Sequence, residues 1–455
     1  MGMKHKTFPI SALAAVICLF YSGRAVAQLP SRAEEALQVI AENPDRAANN
    51  MHSYEFKPLV DTRTPKGYKA FYVSHYGRHG SRYEQSSSFS RAALEGFRKA
   101  DSLSLLTPEG KDLYAAVKAI TDEHEGMEGA LSPRGGREHQ MLATRMARRY
   151  PSIFNQKDRK EVSAFSSTVQ RCIISMNNFT SALKGEDPQL QFTFTTGQRF
   201  MEYLSPTIRF SRTMAGPAAP AGRGGNPQAP QGASPGGRAP QGPQASQYDW
   251  SRLYSVIFTN PAAADEVING REVFIRSIYS AGGLCQDLDF LGIDIFRTYF
   301  TPEELTYLWQ RQNDMIYGLW GNSLENGDAV REALKPLLRD FVEKADAALK
   351  DDSKRCADLR FGHDTGVLPL ASLLGIDDPD GNRFSISNAH DYWFAHERVP
   401  MASNIQMIFY RSRKGDVLTK VLYNEQEVSF KGLKAEEGPY YKWNTLREWF
   451  LSLCQ

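Results

Sequence analysis

The stretch FYVSHYGRHGSRYE, residues 71–84, crowds Arg78, His79 and Arg82 together just after an apolar run. Cations this close repel one another unless something negative neutralises them. A second charged group, His363-Asp364-Thr365, follows the run LRFG far downstream. Together these residue types suit phosphoryl transfer. An arginine presents a fork of donors that matches phosphate oxygens two at a time. Gly80 lets main chain approach a phosphate that a side chain would block. His79, as a neutral imidazole, can attack phosphorus and carry the phosphoryl group as a phosphohistidine. Asp364 can protonate the departing alkoxide and then act as base on the incoming water. With arginines stabilising the equatorial oxygens, the chemistry calls for no metal and no cofactor.

Elements must bring the two groups together, and they share one pattern: apolar strand, charged residues at its C-terminal end, helix. In open α/β sheets ligands bind at strand C-termini, where helix N-terminal amides favour anions. GYKAFYVSHYG reads as the first strand and CADLRFG as the second. Residues 31–50 read as a helix. Helices are also expected over SSFSRAALEGFRKADSL, near Pro108 to Glu123, over LSPRGGREHQMLATRMARRYPSIF after an opening turn, and over TVQRCIISMNNFTSALKG, the last closed by Gly185. EVSAFSS is a strand, VPMASNIQMIFYRS and DVLTKVLYNEQEV a closing pair of strands, and YKWNTLREWFLSLCQ a terminal helix. Residues 248–350 are mostly helical, and the aromatics of PEELTYLWQRQNDMIYGLW belong to a core. The alternation of strand and helix gives an α/β class.

Composition narrows the setting. The chain has 455 residues, 41% hydrophobic and 23% charged, the profile of a globular protein with room for a large core. Lys4 and Lys6, the apolar run Ile10 to Phe20 and the Ala25-Val26-Ala27 site read as a signal peptide over residues 1–27, cleaved before Gln28. The mature protein is then periplasmic or secreted, and no later segment is long and apolar enough for a membrane span. Cleavage removes Lys4, Lys6 and Arg24 and no acid, so the net charge of +2 becomes −1. A near-neutral body argues against nucleic acid as a partner, so any basic site is local. Residues 214–247 are nearly all Gly, Pro, Ala, Gln and Ser and read as a disordered loop; their scattered arginines do not make an RNA-binding segment. Cys172, Cys285, Cys356 and Cys454 remain in the mature chain. An exported compartment permits disulfides among them in any of three pairings, and Cys172 also reads as a small buried residue.

RHGSR followed far downstream by FGHDT resembles the histidine acid phosphatases of the histidine phosphatase superfamily. The likeness runs along most of the mature chain. LSPRGGREHQMLATRMARRYP is similar to one family helix, and SSTVQRCIISMNNFTSAL to another that supplies a third phosphate-binding arginine, here Arg171. YVSHYGRHGSRY, LRFGH and VPMASN most resemble the multiple inositol polyphosphate phosphatase and phytase subgroup. The resemblance implies His79 as nucleophile, Asp364 as proton donor, and Arg78, Arg82, Arg171 and His363 as phosphate ligands. It implies a central mixed, mainly parallel sheet flanked by helices, with a smaller helical cap. The α/β core spans about 60–185 and 350–455 and the mostly helical part about 186–349. The partner implied is a small phosphorylated substrate, an inositol polyphosphate such as phytate.

One departure bears on substrate. The inositol polyphosphate phosphatase subgroup carries His-Ala-Glu where this chain has His363-Asp364-Thr365, the form of the acid phosphatases and phytases. A broad acid phosphatase acting on sugar or nucleotide phosphates is therefore the alternative, and a phosphate-ester binder without turnover a third reading. His396-Glu397 in FAHERVP is a rival acid pair that lacks the strand–glycine lead-in. His75 reads as packed on its strand. His124, His139 and His390 have no metal-ligand partners at helical spacing. Arg134, Arg137, Arg145, Arg148 and Arg149 read as a solvated helix face rather than a pocket rim.

Overall fold

The computed structural model describes residues 31–86, 88–209, 248–378 and 381–455; the segments read as a signal peptide (1–27) and as a loop (214–247) lie outside the described residues. Eight strands form one sheet among these: β1 (Tyr68–Arg78), β2 (Glu161–Ser166), β3 (Gln191–Thr196), β4 (Arg355–Gly362), β5 (Asn404–Ser412), β6 (Val417–Tyr423), β7 (Gln426–Glu427) and β8 (Tyr441–Lys442). Their order is β3-β2-β4-β1-β5-β6-β7, with β8 on β6. β3, β2, β4 and β1 run parallel, and from β5 onward the pairing is antiparallel. This is the expected mixed sheet with parallel centre.

β1 is aromatic and β-branched, as strands prefer, and is buried on both faces from Ala70 onward. Its register with β5 slips between Ala70 and Tyr72. That bulge turns Phe71 and Tyr72 to one face while Ala70 and Val73 meet the other. The register with β4 then sets Arg78 opposite Gly362, and β2 ends with Ser166 opposite Phe361. Three parallel strands thus finish side by side. This levelling of strand ends is what positions the site.

The helices that follow are α1 (Ala33–Glu42), α2 (Ser88–Ser102), α3 (Pro108–Glu123), α4 (Pro133–Arg149), α5 (Pro151–Phe154) and α6 (Gln170–Glu186). Leu142, Met146, Ile153, Phe179 and Leu183 from α4, α5 and α6 cover one face of the sheet. Helices Gly327–Ala348, Asp364–Leu374 and Trp443–Leu453 cover the other with Leu334, Phe341, Val367, Leu370 and Phe450. A third core joins α2 and α3 to Ser251–Ile257, Arg271–Leu284 and Pro302–Trp320 through Phe97, Leu113, Leu253, Phe274 and Trp309.

Several expectations change. The helix read through PSIF stops at Arg149, and Pro151 opens a separate short helix, Pro151–Phe154. The helix read over residues 31–50 breaks at Asn43: Pro44 opens a separate 3-10 segment, Pro44–Met51, which contains Asn49 at φ 57°. α6 passes through Gly185 and stops at extended Asp187. The sheet also reaches beyond the core boundary read near residue 185, because QFTFTT forms the edge strand β3. All four described cysteines are buried and free, each against a different carbonyl of the core, so none of the three pairings forms. No helix among the described residues is long and apolar enough to cross a membrane.

Candidate active site

β1 ends on Arg78, and the chain continues as a strand edge for one residue more. Arg78 N–H donates to the Ser403 carbonyl at 2.8 Å, and His79 N–H to that of Gly362 at 2.9 Å. The loop then turns beneath the first turn of α4, where Ser132 caps Gly135. Contact there is so close that a Cβ on Gly80 would sit 2.5 Å from the Gly135 carbonyl oxygen, and one on Gly135 2.2 Å from that of Ser81. Only glycines fit.

All six predicted side chains meet at this corner. Arg78 Nη2 lies 3.1 Å from Asp364 Oδ2. Arg171, on α6, donates from Nη2 to His363 Nδ1 at 3.4 Å, and the rings of His79 and His363 stand 5.6 Å apart, edge to face. Arg82 is tied to the Tyr83 carbonyl at 2.8 Å and to Met51 Sδ at 3.3 Å. Arg78, His79, Arg82, Arg171 and His363 are all buried.

The hydrogen bonds fix proton positions. The Gly80 carbonyl, 2.9 Å from His79 Nδ1, can only accept, so Nδ1 holds the proton and Nε2 keeps its lone pair. Burial, then Arg171, Arg78, His363 and Arg82, holds His79 well below the ordinary histidine pKa. The imidazole is neutral in acid. Burial and Arg171 likewise take His363 down to about 3. Burial, Arg171 and Arg78 lower Arg82 to about 10. For Asp364 burial pushes upward but is outweighed by Arg78, His363 and Arg82, so its carboxyl titrates below the usual range. The corner is a cluster of desolvated cations with one carboxylate among them, an arrangement that favours an anion.

Several supporting residues gave little or no sign in the sequence. Asn50 donates from Nδ2 to Asp364 Oδ2 at 3.1 Å, and its carbonyl accepts from Arg78. Tyr76 accepts from the His363 N–H at 3.2 Å and donates to the Leu204 carbonyl at 2.8 Å. Ser167 lies 3.0 Å from His363 Nε2, and Ser175 accepts from Gly80 N–H at 3.2 Å. Glu138 accepts from Ser81 N–H at 2.7 Å and Ser81 Oγ at 2.9 Å. Of these only Glu138 carries a signal that the sequence reading passed over, a charge on the face of α4 that buries Leu142 and Met146.

The other histidines stand apart. His75 packs between Phe179 and Phe361. His124 and His139 are buried, and His390 bonds Asp314 at 2.7 Å. In the rival pair, His396 faces the His52 ring and Glu397 binds Arg32 at 2.9 Å. The α4 arginines are committed rather than merely solvated: Arg134 and Arg137 pair with Asp289, Arg145 with Glu425, Arg148 with Glu186 and Arg149 with Asp61.

A histidine pair, three arginines and a carboxylate thus gather where the parallel strands end, and comparison with known proteins bears on what such a corner belongs to. The model of the histidine phosphatase superfamily (branch 2) matches residues 77–231, the segment that carries the first motif and Arg171. The Bifidobacterium longum multiple inositol polyphosphate phosphatase in complex with inositol hexasulfate has the same fold at TM-score 0.67 and 17% identity, covering 89% of this chain and 97% of that one. Its phosphate complex gives 0.68 and 19%, with the same coverage. The D. castellii phytase gives 0.61 and 15%, covering 90% of this chain and 85% of that one. No curated protein matches the chain. The family match and the motif resemblance agree on the histidine phosphatase superfamily over that segment, and the solved structures share the fold.

Proposed function

We propose that the protein hydrolyses phosphomonoesters through a phosphohistidine at His79, and that inositol polyphosphates such as phytate are its substrate class. The observation that carries this reading is the convergence of two distant strand-end motifs and Arg171 on one buried corner. The substrate class draws support from the inositol hexasulfate-bound relative and the phytase of like fold.

In the cycle, Arg78, Arg82 and Arg171 donate to the phosphate oxygens, and the His79 Nε2 lone pair attacks phosphorus. The N–P bond forms as the bond from phosphorus to the alkoxide oxygen breaks. Asp364 gives that oxygen its proton. Arg78, 3.1 Å away, holds Asp364 ionised. A phosphate dianion seated on Arg78 shares that cation and raises the Asp364 pKa, so the substrate readies its own acid. Asp364 then takes a proton from water as the water oxygen attacks phosphorus, releasing phosphate and restoring His79.

The wider organisation belongs to the same proposal. The α/β core and a mostly helical part form one catalytic unit behind a cleavable signal, so the protein is periplasmic or secreted. A mature N-terminus at Gln28 in the exported protein checks the signal. For the chemistry, His79→Ala is expected to abolish turnover, and hydrolysis surviving in the purified variant sinks the mechanism. Rates on phytate, glucose phosphate and AMP compared at equal enzyme test the substrate class: phytate should lead.

A further inference from the structure

Behind the loop that carries His79 and Arg82 runs a row of four buried side chains that the cycle above leaves unused: Asp287, Ser53, Ser81 and Glu138. Asp287 Oδ1 and Ser53 Oγ are 3.1 Å apart, Ser53 Oγ and Ser81 Oγ 3.0 Å, and Ser81 Oγ and Glu138 Oε1 2.9 Å. Each of these three contacts needs a hydrogen, and two hydroxyls supply only two. With both carboxyls ionised, one contact sets oxygen against oxygen with nothing between. One more proton completes the row.

Burial raises the Glu138 carboxyl as well, yet it is the poorer home for the proton. That carboxylate already accepts from the Ser81 N–H at 2.7 Å and the Tyr54 N–H at 3.0 Å, with Arg134 at 3.9 Å. Asp287 Oδ2 has no hydrogen-bond partner among the described residues. We propose that Asp287 is held as the neutral acid and positions the phosphate-binding loop by donating to Ser53, which donates to Ser81, which donates to Glu138. Losing that proton breaks the row at the two serines and loosens the loop between His79 and Arg82.

The charged groups around Asp287 are Glu138 on α4 and, from the loop and strand end, Arg82 and Arg78. Burial, reinforced by Glu138, outweighs the downward pulls of Ser81, Arg82 and Ser53 and raises Asp287 to about 7. The loop is therefore braced in acid and relaxes through neutrality. This positioning role rests on the phosphatase reading of the cradle, and its test separates the two.

Sulfate keeps its charge from pH 5 to 9 and serves as the probe, with binding followed by calorimetry. In the wild type, sulfate affinity should fall on the order of tenfold between pH 6 and 8 as the loop loosens. Asp287→Asn keeps a donor toward Ser53 at every pH, so its affinity should stay flat within about twofold, a threshold set well below that tenfold fall. Ser53→Ala, which cuts the row, should bind more weakly and without that pH dependence. Stability gives a second readout. An acid whose folded pKa is raised contributes fully below the ordinary carboxyl range and loses that contribution as pH climbs to about 7. The unfolding midpoint of Asp287→Asn should gain on the wild type up to neutrality and level off above it. A wild-type affinity that ignores pH overturns the proposal. So does a fall that persists in Asp287→Asn, which would assign it to Glu84, another acid raised to about 7 and coupled to Arg82. Binding and stability that behave as stated in a protein that hydrolyses no phosphomonoester would instead refute the phosphatase reading and leave the bracing role intact.

Discussion

Asp364 carries the tension of the proposed cycle, which asks a carboxylate ionised beside Arg78 to hold a proton when the alkoxide leaves. Asp364→Asn cannot supply that proton. Its kcat on alkyl phosphates should drop by about 10²–10⁴, the usual worth of a positioned acid. Aryl phosphates, whose leaving groups need no proton, should lose far less; equal losses on both would remove Asp364 from the donor role. His79 gives a pH prediction with a definite sign. Its pKa is depressed, so the imidazole stays unprotonated well into acid. The kcat/KM profile on an aryl phosphate should therefore show no acid-side fall near pH 6.5, the ordinary histidine value. A fall there would mean that the nucleophile is solvated and ordinary.

The β1–β4 register brings the two strand ends together, and Tyr76 of β1 packs its hydroxyl into the start of the helix at Asp364. A Cβ on Gly362 would lie 2.0 Å from the Tyr76 hydroxyl, and one on Gly366 1.9 Å from it. The hydroxyl accepts from the His363 N–H and so fixes the first turn of that helix. Tyr76→Phe leaves this buried N–H without its acceptor, which should cost about 1–3 kcal/mol in denaturant unfolding. It should also lower kcat, since His363 and Asp364 ride on the turn; an unchanged unfolding midpoint would show that the bond is dispensable. This scale also shows what was legible in the chain. β1 and β4 were readable because buried parallel strands are continuous apolar runs, and the charges sit where those runs stop. Arg171 came only from the family resemblance of its helix, since nothing in its own surroundings marks it for a site on other elements. β3 was passed over because QFTFTT lies at an exposed edge, where alternation is the only signal. Asn50 and Asp287 left no local trace, because each acts through partners hundreds of residues away in sequence or on another element.

Across the whole molecule the site is bought with stability. Arg78, Arg82 and Arg171 are buried together, and burial with mutual repulsion holds Arg82 down to about 10. A base whose folded pKa is depressed costs stability at every pH where it remains charged in the unfolded chain. Asp364 offsets one cation, and the sheet and three packed cores carry the rest. An anion that binds only the folded state should then return stability by mass action, about 2.7 kcal/mol at a hundredfold excess over its Kd. Inorganic phosphate should accordingly raise the unfolding midpoint of the wild type. Arg82→Gln removes one of the three repelling charges while leaving a donor near the Tyr83 carbonyl and Met51 that Arg82 binds now. It should unfold no earlier than the wild type without phosphate and gain less from phosphate. A variant that loses stability in the absence of phosphate, yet keeps the full phosphate gain, would show Arg82 to be structural rather than part of the cradle.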